Sequence, residues 1–261
     1  MKSSSFRSVL KSLGRFKNLF FPLAAFALIL AVWAIAAAAA DLPLILPAPK
    51  ETFVSFWGIL GNAGYWQAVG LTLFRALRSF LYAVALGAVL AVIAAFSEVT
   101  EKLLDPIVSV LRSVPTMSII LIAILWLGSK IAPVLIAFLI TFPLLYQGFL
   151  DALKSVDRGI LEMADVYHVS RKDKILRIYL PAVSEGALSV MKSTVSLSLK
   201  IIIASEVMAQ TRQSIGLYMQ RAMVTFETAE LIAWTVIAVV FSYLLELIVG
   251  MIKKAVVRWK R

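Results

Sequence analysis

The chain has no cysteine and a single histidine, His168, among its 261 residues. Disulfides, thiol catalysis and cysteine-ligated metals are thereby excluded, and neither a histidine dyad nor a histidine metal cluster can form. No glycine-rich phosphate loop ending in Lys-Ser or Lys-Thr is present, so the chain has no such means of holding a nucleotide. Charge is scarce as well, at 16% of residues, with 15 acids against 26 lysines and arginines. What remains is apolar: 61% of residues are hydrophobic and the mean hydropathy is +0.91, far above a soluble domain. These residues come in blocks instead of alternating with polar ones, the pattern of helices immersed in hydrocarbon. An all-α integral membrane protein with one membrane domain follows. A net charge of +11 would suggest nucleic acid in a soluble protein. In a membrane protein it reads as positive charge held at one face, and no nucleic-acid partner is expected.

Six spans are predicted. Leu19 to Ala40 is free of charge and long enough for a layer that takes about 20 helical residues to cross. The basic flank before it and its closing alanines also resemble a secretory signal, but signal cores run to only about 15 residues, so a retained helix is expected. The second span is Phe80 to Phe96, extended back through Leu71 and carrying Arg75 and Arg78, which can snorkel to headgroups. The third runs from about Ile107 to Leu127, interrupted by Arg112 and Pro115, and the fourth from Ile131 to Leu150, with Pro133 and Pro143. Prolines are tolerated there when neighbours satisfy the freed carbonyls. The fifth, about Ala182 to Ser205, is the most polar, and the sixth is Leu231 to Ile252. Most of the lysines and arginines then fall on one side, in the tails, near Lys102 and between Lys154 and Arg177, against Lys50, Lys130, Arg212 and Arg221 on the other. The positive-inside rule puts the richer side, with both termini, in the cytosol. Residues 1–18 and 253–261 are thus basic cytosolic tails flanking a transmembrane domain, 19–252.

The polar island Leu161 to Pro181 is the element this topology exposes to cytosolic partners. Ile160, Met163, Ala164 and Tyr167 share one helical face, with Arg158, Glu162 and Asp165 on the other. Asp157 is the expected cap, and Ser170 with Asp173 makes a capping-box start for a second short helix containing Ile175, Leu176 and Tyr179. Pro181 marks the restart into the membrane. By these signals alone, a part that a partner pushes and a loop lying on headgroups are equally good readings.

The island resembles the EAA loop of ABC-transporter importer permeases. Glu162, Met163 and Ala164 occupy its first triplet, and Ile178, Tyr179, Leu180 and Pro181 its closing element. His168 stands where that family has glycine, at a turn that favours a left-handed residue, and histidine is among the side chains enriched there. The likeness runs from about Val69 to the carboxyl terminus through Thr72-Leu-Phe-Arg75, Leu104-Asp-Pro106, Arg112-Ser-Val-Pro115, Leu125-Trp-Leu-Gly128, Ser155-Val-Asp157, Lys200 to Glu206 and Ser214-Ile-Gly216. It is similar to the nitrate, sulfonate and taurine branch, which includes carriers of vitamin-like and pyrimidine compounds.

The resemblance implies a type I importer fold with a core of about 69–252 and a cytosolic coupling loop, 151–181. It implies a permease homodimer, each copy docking one of two ATPase subunits through Glu162, Met163, Ala164, Tyr167, His168, Ile178, Leu180 and Pro181. A soluble binding protein would deliver a small polar or anionic solute, and Glu206 with the loop through Gly216 would face it. ATP and magnesium would belong to the ATPase, this chain would bind no cofactor or metal and would not itself be an enzyme, and its membrane would be a bacterial-type cytoplasmic one.

Ser189, Ser193, Ser196 and Lys200, at offsets of zero, four, seven and eleven, form one polar stripe on span five. Two readings stand: a translocation path suited to an anionic or polar solute, or serines that pack helices and a lysine that snorkels or pairs. Arg112 could line a gate or meet the interface, and Lys192 is expected to pair with Glu246. Rival functions are a channel or secondary carrier, for which the island is incidental, and a membrane-embedded enzyme, for which no converging set of acids and nucleophiles is found.

Overall fold

The computed structural model describes residues 3–257; the side chains of 3–19 and of Arg158 are set aside. Expectations for Lys2, Arg258, Lys260 and Arg261, and for the side chains of Arg7, Lys11, Arg15, Lys17 and Arg158, lie outside the described residues. Those residues hold helices and connections only: α1 (Ser3–Ala40), α2 (Pro49–Gly61), α3 (Ala63–Phe96), α4 (Glu98–Ser113), α5 (Thr116–Lys154), α6 (Arg158–Val166), α7 (Arg171–Lys174), a π-helical turn (Ile175–Tyr179), α8 (Leu180–Ala209), α9 (Ile215–Val224) and α10 (Thr228–Val256). Five stretches among them are long and apolar enough to cross a membrane: Phe20–Ala40, Ala63–Phe96, Thr116–Lys154, Arg171–Ala209 and Thr228–Val256.

The predicted third span is not one helix. α4 stops at Ser113, Val114 and Pro115 are extended, and α5 starts at Thr116. Pro115 explains the stop, because a proline pushes the residue before it out of the α region. α4 itself is amphipathic, with Glu98 and Glu101 in its first turn, and Ser97 caps it by accepting from Thr100 N at 3.2 Å. The boundary expected between spans three and four falls inside α5, where two helical stretches meet at Gly128, which takes φ 68° and ψ 177°, open only to glycine. Pro133 removes the N–H that would have met the Ser129 carbonyl, and Thr211 Oγ1 donates to that oxygen at 2.9 Å. A freed carbonyl inside an apolar bundle thus has its partner.

The chain divides into two compact units. In Met1–Gly61 with Ala222–Ala233, the Trp33 indole donates to the Pro47 carbonyl at 3.0 Å, tying the end of α1 to the connection before α2. The larger unit, Asn62–Arg221 with Trp234–Arg261, is built around α5 packed on α3 and α8. Small residues allow the close approach. A Cβ at Gly87 of α3 would sit 3.2 Å from the Tyr146 amide, one at Gly148 of α5 2.5 Å from Val190, and one at Gly186 of α8 2.9 Å from the Ala152 Cβ. Tyr65, Tyr218 and Trp234 form an aromatic cluster in this unit, Tyr218 and Trp234 stacked at 5.2 Å.

Candidate functional site

The segment after α5 folds as its capping residues direct. Asp157 accepts from Gly159 N at 2.8 Å and starts α6. The helix closes with Val169 N bonded to the Ala164 carbonyl and His168 N to that of Asp165, a Schellman closure whose left-handed residue is His168, at φ 51°. Ser170 then accepts from Asp173 N at 3.1 Å and its hydroxyl donates to the Asp173 carboxylate at 2.6 Å, a capping-box-like start. Lys174 pairs with Asp165 across the turn. Because a side chain in the left-handed region costs about 1 kcal/mol relative to glycine, His168→Gly should slow amide exchange in α6 by several-fold without changing transport. Hydrogen-exchange mass spectrometry of the two proteins checks this.

One expectation here fails. Pro181 does not restart a helix, since Arg171–Ala209 runs on without a break. The π-helical turn just before it, in which Leu180 N reaches back to the Ile175 carbonyl, absorbs the bond that proline cannot make. Ile178 and Pro181 are half-buried and Leu180 is exposed. On α6, Ala164 is buried, whereas Ile160 (44% exposed), Met163 (55%) and Tyr167 (76%) stand in the open with Glu162 and His168 beside them. Three large apolar side chains on one face of a short capped helix, outside any described core, make a surface that a partner can cover.

The stripe on α8 divides. Ser189 accepts from Lys253 Nζ at 2.7 Å and, like Ser193 and Lys200, is exposed; Ser196 is buried and bonds back to the Ser193 carbonyl. Lys200 is in no ion pair among the described residues. Neither is Lys192, whose expected pairing with Glu246 does not form; its methylene carbons lie over Gly250 instead. Arg112 is exposed beside a polar cavity between α4 and α5.

The largest departure concerns Glu206, which faces nothing outside: it is fully buried. Arg75 Nη1 donates to it at 2.8 Å, Thr72 Oγ1 at 2.9 Å and Gly216 N at 3.4 Å, while Thr72 accepts from Ile215 N at 3.0 Å. Arg75, expected to snorkel, also reaches the carbonyls of Arg212 and Gln213. Gly216 is buried as well, and an added Cβ would lie 2.5 Å from the Glu206 Cβ and 2.6 Å from the Val207 amide. These residues fasten α3, the end of α8 and the loop before α9 together. Sequence reading singled out each motif without joining them; the signal was an arginine and a carboxylate each stranded in an apolar run, which lipid forces to find each other. Arg78, also expected to snorkel, lies with its guanidinium 5.9 Å from the Phe74 ring centre.

Comparison with known proteins agrees with this architecture. The chain is 24% identical over 252 residues to the putative aliphatic sulfonates transport permease protein SsuC of Bacillus subtilis (strain 168), covering 96% of this chain and 90% of that protein. It is also 24% identical to the taurine transport system permease protein TauC of Escherichia coli (strain K12), covering 87% and 84%. Among solved structures, its fold resembles a bacterial alginate ABC transporter in complex with an alginate pentasaccharide-bound periplasmic protein, with a TM-score of 0.62 at 14% identity over 95% of this chain and 97% of that one. The inward-facing MetNI methionine ABC transporter matches with a TM-score of 0.58 at 16% identity over 74% and 94%. The model of the binding-protein-dependent transport system inner membrane component matches residues 83–261, most of the chain, and it is to this family, the membrane-spanning permeases of ABC importers, that the protein belongs.

Proposed function

We propose that the exposed Ile160, Met163 and Tyr167 face of α6 docks an ATPase subunit and passes its closure to α8 through the unbroken Arg171–Ala209 helix. The apolar face left open on a capped helix is the observation that carries this reading. α4 and the first part of α5 together make one broken crossing, for six in all, with both termini cytosolic. Two copies dock two ATPase subunits, which hold ATP and magnesium, and an extracytoplasmic binding protein delivers the solute. ATP and the loaded binding protein drive transport through differential affinity for the inward- and outward-facing states. The solute is small and polar or anionic, sulfonate-like as the names of the relatives suggest, and Ser189, Ser193 and Lys200 on the exposed face of α8 line its way.

Co-purification from membranes tests the docking face. Met163→Asp should lower ATPase association about tenfold or more by burying a charge in the contact, with α6 intact by circular dichroism. Undiminished association would refute the assignment. Replacing Lys200 with methionine should reduce solute uptake into proteoliposomes several-fold while ATPase association is unchanged; normal uptake would remove Lys200 from the path.

A further inference from the structure

α3 carries two arginines one turn apart, and only one of them is neutralised within the protein. Arg75 is paired with Glu206. Arg78 enters no ion pair among the described residues, and its Nε is buried without a hydrogen-bond partner. A charge-free run follows it: about 27 Å of helix separates Arg78 from Phe96, close to the ~30 Å of a hydrocarbon layer. On the topology proposed above, with the Lys102 connection cytosolic, Arg78 stands at headgroup level on the opposite face.

Between α3 and α5 lies an apolar cavity of about 800 Å³ that opens beside Arg78. Tyr82, Leu86 and Val89 line it from α3, on one helical face with Arg78, and Ile131 and Phe138 line it from α5. The volume suits a bound molecule, yet the only polar side chains in the lining are Arg78 and Tyr82, and no carboxylate is among them. Tyr82 is exposed; helical side chains lean toward the amino terminus of their helix, which brings its hydroxyl back toward the level of Arg78. One turn before Arg78, the Phe74 ring lies under the guanidinium, 5.9 Å from it. This arrangement suits an occupant with an anionic head and a long apolar tail. A small ion would leave the groove empty, and a bare apolar chain would leave the guanidinium without an anion.

We propose that the groove holds one anionic phospholipid of the outer leaflet, its phosphate on the Arg78 guanidinium and the Tyr82 hydroxyl and an acyl chain laid between α3 and α5. The guanidinium fork matches two phosphate oxygens at once, and basic pockets between transmembrane helices are where such headgroups bind. Only the leaflet depends on the topology; the site itself does not. The rival occupant is α1 of a second copy, whose Phe20–Ala40 stretch is largely exposed. That stretch carries no charge, so it would cover the groove and offer Arg78 no anion.

Native mass spectrometry of the full chain, delipidated in mild detergent and titrated with phosphatidylglycerol or phosphatidylcholine of the same acyl chains, tests the site. One phosphatidylglycerol should bind at least about tenfold more tightly than phosphatidylcholine, whose choline finds no carboxylate in the groove. Arg78→Gln should weaken that binding about tenfold or more and abolish the preference, Arg78→Lys less, and Lys50→Gln, an exposed cation of the smaller unit, not at all. Ala85→Phe fills the groove from an exposed position of α3 with Arg78 in place, and should give a separate loss of several-fold. Equal affinity for the two lipids, affinity indifferent to Arg78, or affinity unchanged by Ala85→Phe would overturn the proposal. In membranes, Tyr82→benzoylphenylalanine should photo-crosslink to lipid; a crosslink to a second copy of the chain would show that protein covers the groove and would overturn the proposal too. The docking of α6 is read separately, in ATPase association.

Discussion

Glu206→Ala should lower the stability of the folded chain by about 3–5 kcal/mol, measured by unfolding in mixed detergent micelles, because it leaves a nearly buried guanidinium without its counter-charge. Thr72 and Gly216 lose an acceptor in the same stroke, and the Ile215 amide depends on Thr72 in turn. Arg75→Met alone should be of similar severity, since a carboxylate with no exposure would then have only the Thr72 hydroxyl and the Gly216 amide to compensate its charge. The double variant Arg75→Met, Glu206→Met is expected to regain a large part of the loss, as buried ion pairs generally exchange for apolar contacts with little net change. That non-additivity separates an ion pair from two independent contributions. A single-variant loss below about 1 kcal/mol would show that water reaches Arg75 and that the knot is not closed.

The second large effect is steric. At Gly148 a methyl group would sit 2.5 and 2.7 Å from the two Val190 methyl carbons, where α5 packs on α8. Gly148→Ala should therefore destabilise by about 1–3 kcal/mol despite the better helix propensity of alanine, because two rigid helices have to separate or a β-branched side chain has to leave its rotamer. Val190→Ala removes the obstructing atoms, so the double variant should lie well above Gly148→Ala alone. If Val190→Ala brings no recovery, the contact that matters at Gly148 is with the backbone.

Much of the segment around α6 was legible because its determinants are local. The Asp157 cap, the Ser170 and Asp173 box and the left-handed turn at His168 each involve residues within a few positions of one another, and the structure forms all three. The continuity of Arg171–Ala209 through Pro181 was not legible, since a π-helical turn is a compromise among neighbouring hydrogen bonds that no residue type announces. The third span was misjudged for a related reason: hydropathy sees a run of apolar residues on both sides of Pro115 but not the backbone break between them.

Composition and blockwise hydropathy, acting through the need of each span to bury its backbone polar groups within itself, determined an all-helical membrane chain and most of its helices. Short-range capping determined the shape of the segment around α6. Only the tertiary structure decided the fate of the charges, because their partners are far off in the chain: Arg75 and Glu206 are 131 residues apart, and Thr211 caps a carbonyl 82 residues away. Glu206 thereby changed from an outward-facing residue to a buried one, Lys192 forms no ion pair among the described residues, and Asp105 and Arg112 came to share one cavity. In an apolar medium each such group must find a partner or face a cavity, and which of these it does depends on how the helices pack.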